Sequence, residues 1–121
     1  MTETIEELLA KLKDLDPETC KMFVQLSEEA ADGMRFRHDN MNKIDFYILQ
    51  GVLQDAAAAK GWRFEIQGDN AEYFVDSGPQ YECYIRGQPG QVDGIRTIWR
   101  SAPSPAEALL AAYVAVLEAT R

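Results

Sequence analysis

This chain has little with which to do chemistry. Its single histidine, His38, and two cysteines, Cys20 and Cys83, are all the thiol or imidazole ligands in 121 residues. The cysteines lie far apart with no C-x-x-C spacing, so neither a His-rich nor a Cys-rich zinc site can be completed. G-x-S-x-G, the Walker loop and G-x-G-x-x-G are all missing. The glycine-rich stretch "GQPGQVDG" (87–94) joins two strand-patterned segments. It therefore lacks the helix N-terminus that would hold a phosphate. Asp69, Asp76 and Asp93 fall beside strands, where aspartates commonly serve turns. The sequence reads as non-enzymatic, with no catalytic residue, no metal and no cofactor.

Long apolar runs are lacking too. The uncharged stretch 108–117 is far short of the roughly 20 apolar residues that a membrane-spanning helix needs. The opening "MTETIEELLA" is acidic and has no basic n-region, so no secretory leader is expected at this end. Two isolated thiols in such a chain are expected to be reduced and buried, and the protein cytoplasmic. Base is scarce as well: 12 Lys and Arg stand against 20 Asp and Glu, a net charge of −8. That charge repels phosphate backbones at long range and argues against nucleic acid as a direct ligand.

What is present is an ordinary globular composition, 46% hydrophobic and 26% charged, in one domain's length of chain. The charge is uneven. Residues 1–33 carry nine acids against three lysines, whereas 34–61 carry four basic residues against three acids.

Helix signals open the chain. Thr4 and Glu7 form a capping box, with Thr2 an alternative cap one turn earlier, and Ile5, Leu8, Leu9 and Leu12 follow at helical spacing up to Leu15. Asp16-Pro17 stops that helix and caps the next, with Glu18 in its positive end. Met22, Phe23, Leu26 and Ala30 give the second helix its apolar stripe, and Gly33 is expected at C′. Residues 1–33 are thus an acidic helical hairpin, 34–41 a linker, and 42–121 the body of the same single domain. In the body Asn42, with Asp45 three residues on, caps a third helix that Gly61 ends. Its face is read as Ile44, Ile48, Val52 and Ala56, widened by Leu49 and Leu53. Gly51 inside it predicts close approach of another element, since glycine otherwise costs about 1 kcal/mol there.

The period then changes to two. Trp62, Phe64 and Ile66 alternate with Arg63, Glu65 and Gln67; "YFV" (73–75) gives a short strand; Tyr81, Cys83 and Ile85 alternate with Glu82, Tyr84 and Arg86. "IRTIWR" (95–100) places Ile95, Thr97 and Trp99 on one face. The polar face of this sheet would carry Arg63, Glu65, Glu82, Arg86, Arg96 and Arg100, paired across strands. Ser104-Pro105-Ala106-Glu107 opens a final helix with a wide face of Leu109, Leu110, Tyr113, Val114, Val116 and Leu117. The fold class is α+β: an antiparallel sheet of three to four strands packed with helices, plus the N-terminal hairpin.

The order helix, strands, helix over 42–119 is shared with the double-stranded-RNA-binding domain. That domain opens its last helix with lysines, whereas this one reads "SPAEALLAAY", so its RNA chemistry is absent. The alanine-rich end of the third helix, the sheet and "SPAEALLAAYVAVLEA" (104–119) resemble small phage and prophage proteins of the ABA-sandwich type, over 42–120 at most. The resemblance implies a phage accessory protein, a group that includes anti-defence and anti-CRISPR inhibitors.

Two candidate sites remain. The acids Glu3, Glu6, Glu7, Asp14, Glu18, Glu28, Glu29 and Asp32 should point outward from the apolar seam and face a host protein or nucleoprotein complex of basic surface. The basic island "MRFRHDN" (34–40) reads first as a linker pinned by Phe36 or Met34, with Arg35 and Arg37 facing the acids of the hairpin. It reads next as a contact loop, or as an anion clamp of Arg35, Arg37 and His38 for a small ligand or nucleotide messenger. An assembly subunit is the third reading, and self-association is left open.

Overall fold

The computed structural model describes residues 3–68, 81–86 and 97–119, without the side chains of His38 and Thr97. The strand expected at 73–75, the loop at 87–94, the Thr2 cap, Asp69, Asp76, Asp93 and Arg96 lie outside the described residues. Four α-helices and three strands follow in order: α1 (Ile5–Leu15), α2 (Pro17–Ala30), a short 3₁₀ turn at His38–Asn40, α3 (Lys43–Ala59), β1 (Arg63–Gly68), β2 (Tyr81–Arg86), β3 (Thr97–Ala102) and α4 (Pro105–Ala119). The strands form an antiparallel sheet in the order β1-β2-β3. The α+β class read from the periodicity is what the chain adopts.

The helix ends are where the capping residues put them. The Thr4 hydroxyl accepts from the Glu7 N–H at 3.2 Å, and Asn42 and Asp45 exchange reciprocal side-chain bonds at 2.9 and 3.0 Å. Ser104 accepts from the Glu107 N–H at 3.2 Å. At the end of α3, Gly61 adopts φ +76° and the N–H groups of Gly61 and Trp62 close back on the carbonyls of Ala58 and Ala57. This is a Schellman turn, and it aims Trp62 into the core.

α4 is the central element. It packs on β2 and β3 on one side and on α1 and α3 on the other, and α2 closes over α1 and α3. Ala106, Ala108, Leu109, Leu110, Ala112, Tyr113, Val114 and Val116 are all buried, so the helix is apolar nearly all round, as a core helix must be. The hairpin's Leu8, Leu9, Leu12, Cys20 and Phe23 share one core with Leu49, Leu53, Cys83 and Ile85 of the body.

Asp16 joins the two halves. Its carboxylate caps α2 through the Thr19 N–H and hydroxyl, and accepts from the buried Tyr113 hydroxyl of α4 at 2.5 Å. Lys60, at the end of α3, reaches the same oxygen at 3.5 Å. Trp62 packs on the Tyr113 ring at 5.3 Å.

Several faces differ from their periodic reading. α2 buries Cys20, Phe23 and Ser27, while Met22 is 51% exposed and Leu26 and Ala30 also face outward. α3 centres its buried face on Asp45, Leu49, Leu53 and Ala57, leaving Ile48, Val52 and Ala56 at its margin and Ile44 exposed. Among the described residues no atom beyond the helix's own backbone lies within 4 Å of where a Gly51 Cβ would stand, so no other described element approaches closely there. In β3 the register opposes Ile98 to Ile85, Arg100 to Cys83 and Trp99 to Tyr84. Trp99 therefore lies on the outer sheet face, and Arg100 on the α4 side of this edge strand. On the outer face Arg63 stands directly opposite Arg86, and Glu82 opposite Gln67, so Arg63 and Arg86 gain no acid across the ladder.

Two outcomes follow from these placements. Gly51→Ala should stabilise the protein by about 1 kcal/mol, the helix-propensity difference, because the added methyl group meets open space. A lower denaturation midpoint would show that something does pack there.

The second concerns acid. Partial burial alone would raise the pKa of Asp16, but bonds from Tyr113 and Thr19 and the charge of Lys60 outweigh it and lower the value. A folded-state pKa below the unfolded one contributes stability that is complete above about pH 5 and is lost as pH falls through the folded value. Asp16→Asn should flatten that part of the stability curve below about pH 4 while lowering stability at pH 7. An unchanged acid limb, measured by denaturant melts across pH, would rule out this role for Asp16.

Candidate functional site

The acids of the hairpin are carried by two amphipathic helices whose leucine and phenylalanine seams are buried, which turns the opposite faces to solvent. Glu6, Glu7, Asp14, Glu18, Glu29 and Asp32 are exposed, and Glu3 is half-buried. They are not equivalent. Glu3 is ion-paired with Lys11, which also reaches Glu118 of α4 at 3.7 Å. The hydrogen bond to Glu3, with the charges of Glu3, Glu118 and Glu7, raises the Lys11 pKa against an opposing effect of desolvation. Glu7 accepts from the Thr4 hydroxyl at 3.1 Å and Glu29 from the Gln25 amide at 3.4 Å. Glu28 is structural: its Oε2 accepts the Phe36 N–H at 2.9 Å, fixing the linker eight residues on. Glu6, Asp14, Glu18 and Asp32 have no cationic partner among the described residues. These four, with Glu29, form the part of the surface available to something else.

Asp32 is placed at a cost. It stands at φ +55°, in the left-handed region, where a non-glycine residue is strained. The Gly33 N–H closes on the Glu28 carbonyl at 2.8 Å and the Asp32 N–H on Glu29 at 3.3 Å. Asp32 is thus the C′ residue and Gly33 the one after it, one position earlier than the glycine suggests. Glu28, Glu29 and Asp32 also crowd the negative end of the α2 dipole, whose last turn has no basic residue. Stability alone would favour the opposite charge at that end.

The basic island is only partly assembled. Phe36 is its anchor, edge-on to Phe23 at 5.0 Å, while Met34 is 73% exposed. Arg35 is exposed, and Arg37 pairs with Asp39 at 3.2 Å rather than with any acid of the hairpin. The His38 side chain lies outside what is described. Arg37 is thus engaged within its own turn, and no shared anion fork is formed with Arg35 among the described residues.

Both thiols are buried and unbridged. Burial pushes the Cys83 thiol up to about 12 and raises that of Cys20, where Lys13 opposes and Asp16 adds to the shift. Neither is poised as a nucleophile at neutral pH. Among the described residues no group of His, Cys, Asp and Glu is arranged to hold a metal, and no helix is long and apolar enough to cross a membrane. The sequence reading missed the bond from Tyr113 to Asp16, for which the only signal was a tyrosine among alanines and leucines. It also put Trp99 opposite the polar sheet face and Arg100 on it, whereas the register reverses the two.

No protein-family model, no curated protein and no solved structure matches this chain.

Asp32→Gly should raise stability by about 1 kcal/mol, because glycine suits the left-handed turn and the substitution removes a charge from the negative helix end. Asp32→Asn should recover part of that gain. If both denaturation midpoints stay at or below the parent's, neither the backbone nor the dipole disfavours Asp32.

Proposed function

We propose that this is a non-enzymatic binding protein that docks the outer faces of its acidic hairpin onto a partner protein or nucleoprotein complex of basic surface. The observation that carries this reading is the set Glu6, Asp14, Glu18 and Asp32, exposed and without a cationic partner among the described residues, one of them held in strained backbone at the wrong end of a helix dipole. A surface kept against its own stability is more readily explained by recognition than by solubility. A partner built to bind nucleic acid would offer the complementary field.

The resemblance of residues 42–120 to small phage proteins extends the proposal to an inhibitor of a host system, of the anti-defence or anti-CRISPR kind, acting in the host cytoplasm. An acidic surface of this sort would occupy a basic groove in place of the nucleic acid.

The test is charge reversal at positions that serve no internal bond. Glu6→Lys, Asp14→Lys and Glu18→Lys together leave Glu3, Glu7 and Glu28 in their structural roles. The triple variant should lose capture of the host partner by about tenfold or more, with a melting temperature close to the parent's, because exposed charges contribute about 0–1 kcal/mol each. Parent capture should weaken as the Debye length falls from about 10 Å at 0.1 M salt to about 3 Å at 1 M. A variant that binds as the parent does, or binding indifferent to salt, would remove the hairpin from recognition.

A further inference from the structure

The outer face of the sheet carries a second, separate feature. No described element packs on it; α4 covers the side that holds Cys83 and Ile85. The antiparallel register arranges that face in rows. Arg63 lies directly opposite Arg86 in the first row; Glu65, Tyr84 and Trp99 share the second; Gln67, Glu82 and Ser101 share the third. Directly opposed residues have Cα atoms only about 4.5–5.5 Å apart, and like charges in that position destabilise a sheet. Both arginines are exposed, and neither has an ion-pair or hydrogen-bond partner among the described residues. In a chain of net charge −8, two guanidiniums side by side that no described residue neutralises are a local inversion of the prevailing field.

The face is also concave. Arg63, Phe64, Glu65, Gln67, Tyr84 and Arg86 line a depression of about 540 Å³. Within it the Tyr84 hydroxyl donates to Glu82 at 2.9 Å, and the Gln67 amide donates to Glu65 at 3.1 Å. The tyrosine ring and the Glu65 carboxylate are therefore both restrained. The second row lies about 7 Å along the strands from the arginines. One end of the depression thus suits an anion, and the other suits a flat ring whose edge or sugar donates hydrogen bonds to a carboxylate.

We propose that this depression is a nucleotide site, taking a nucleoside phosphate with its phosphate between Arg63 and Arg86 and its base against Tyr84. Two guanidinium forks can bracket one phosphate. Base-on-aromatic stacking tolerates any base. Glu65 explains why the ligand is not phosphate alone, since a bare anion would meet its charge with nothing to donate to it. The site goes beyond the acidic docking surface and uses none of its residues. It also differs from the 34–40 island, whose Arg37 is already paired.

The same chemistry is carried by a free nucleotide and by a nucleotide within a strand. The overall negative charge favours the free form, and the experiment separates the two. Isothermal titration of the full chain would use the four nucleoside monophosphates, guanosine, inorganic phosphate and a short single-stranded oligonucleotide. The expected result is saturable binding of a monophosphate, with the nucleoside, inorganic phosphate and the oligonucleotide each about tenfold weaker or more. Arg63→Ala with Arg86→Ala should reduce that affinity by at least about tenfold with the melting temperature kept. Arg63→Lys with Arg86→Lys should restore only part of it, because lysine keeps the charge but not the fork. Arg35→Ala with Arg37→Ala should leave it unchanged. Quenching of the exposed Trp99, read against Trp99→Phe, should follow occupancy, since buried Trp62 stays silent. No saturation by any monophosphate at millimolar concentration would overturn the proposal. So would equal binding by inorganic phosphate, preference for the oligonucleotide, or full affinity in the Arg63 and Arg86 alanine variant.

Discussion

A buried hydroxyl needs an acceptor, and Tyr113 lies at the centre of this protein with its oxygen deep in the core. The acceptor is Asp16, 97 residues away in the chain. The same aspartate ends α1, donating its N–H to the Leu12 carbonyl at 2.7 Å, and begins α2 through Thr19. Lys60 balances its charge and also lies over Trp62, 5.8 Å from the ring centre, while Trp62 packs at a tilt against Tyr113. The contacts close on themselves: hairpin corner to central helix, central helix to the start of β1, and back through the end of α3. Because the bond from Tyr113 favours the charged form of Asp16, the hairpin's position and the ionisation of one carboxylate are linked. Burial and this bond together also raise the pKa of Tyr113, so the pair holds a single proton arrangement across the neutral range.

That closure decides what each helix face meets, which is where periodic reading succeeds and fails. Helix ends are local chemistry, so Thr4, Asp16, Asn42, Ser104 and Gly61 could be read from neighbours three or four residues away. The strands' alternation is equally local, and Phe64, Ile66, Cys83 and Ile85 point where a period of two puts them. Which of several apolar stripes turns inward is a tertiary decision. α2 offers Met22 and Leu26, yet buries Cys20 and Ser27 beside Phe23; a packed helix seam favours small side chains that let neighbours approach. The Ser27 hydroxyl, buried without a hydrogen-bond partner among the described residues, is a consequence of that choice. α3 follows the same logic, with the i, i+4 series Asp45, Leu49, Leu53, Ala57 inside. In β3 the indole looked like core, but on an edge strand the register with β2 outweighs the hydrophobicity of one residue.

The two candidate surfaces were legible to different degrees for the same reason. Outward acids follow from an amphipathic helix, so the hairpin's charge could be placed from sequence. Their internal uses could not. Glu28 holds Phe36, which in turn docks on Phe23, and that chain of contacts converts one acid from a docking candidate into a fastener. The opposition of Arg63 and Arg86 requires knowing the strand register. It remains hidden when the arginines are counted as residues of a polar face in general.

The two surfaces also sit differently in the protein's own field. A basic partner approaching the hairpin is drawn by the net negative charge, and salt weakens that attraction. An anion approaching the sheet must first cross the same negative potential before the paired guanidiniums capture it. Within a Debye length of about 10 Å at 0.1 M salt, the local arginines dominate; beyond it, the whole-chain charge does. Moderate salt should therefore slow association at the hairpin yet ease anion entry at the sheet, until screening reaches the guanidinium contacts themselves. Opposite initial responses to salt would mark the two faces as independent, each using the charge that the other must overcome.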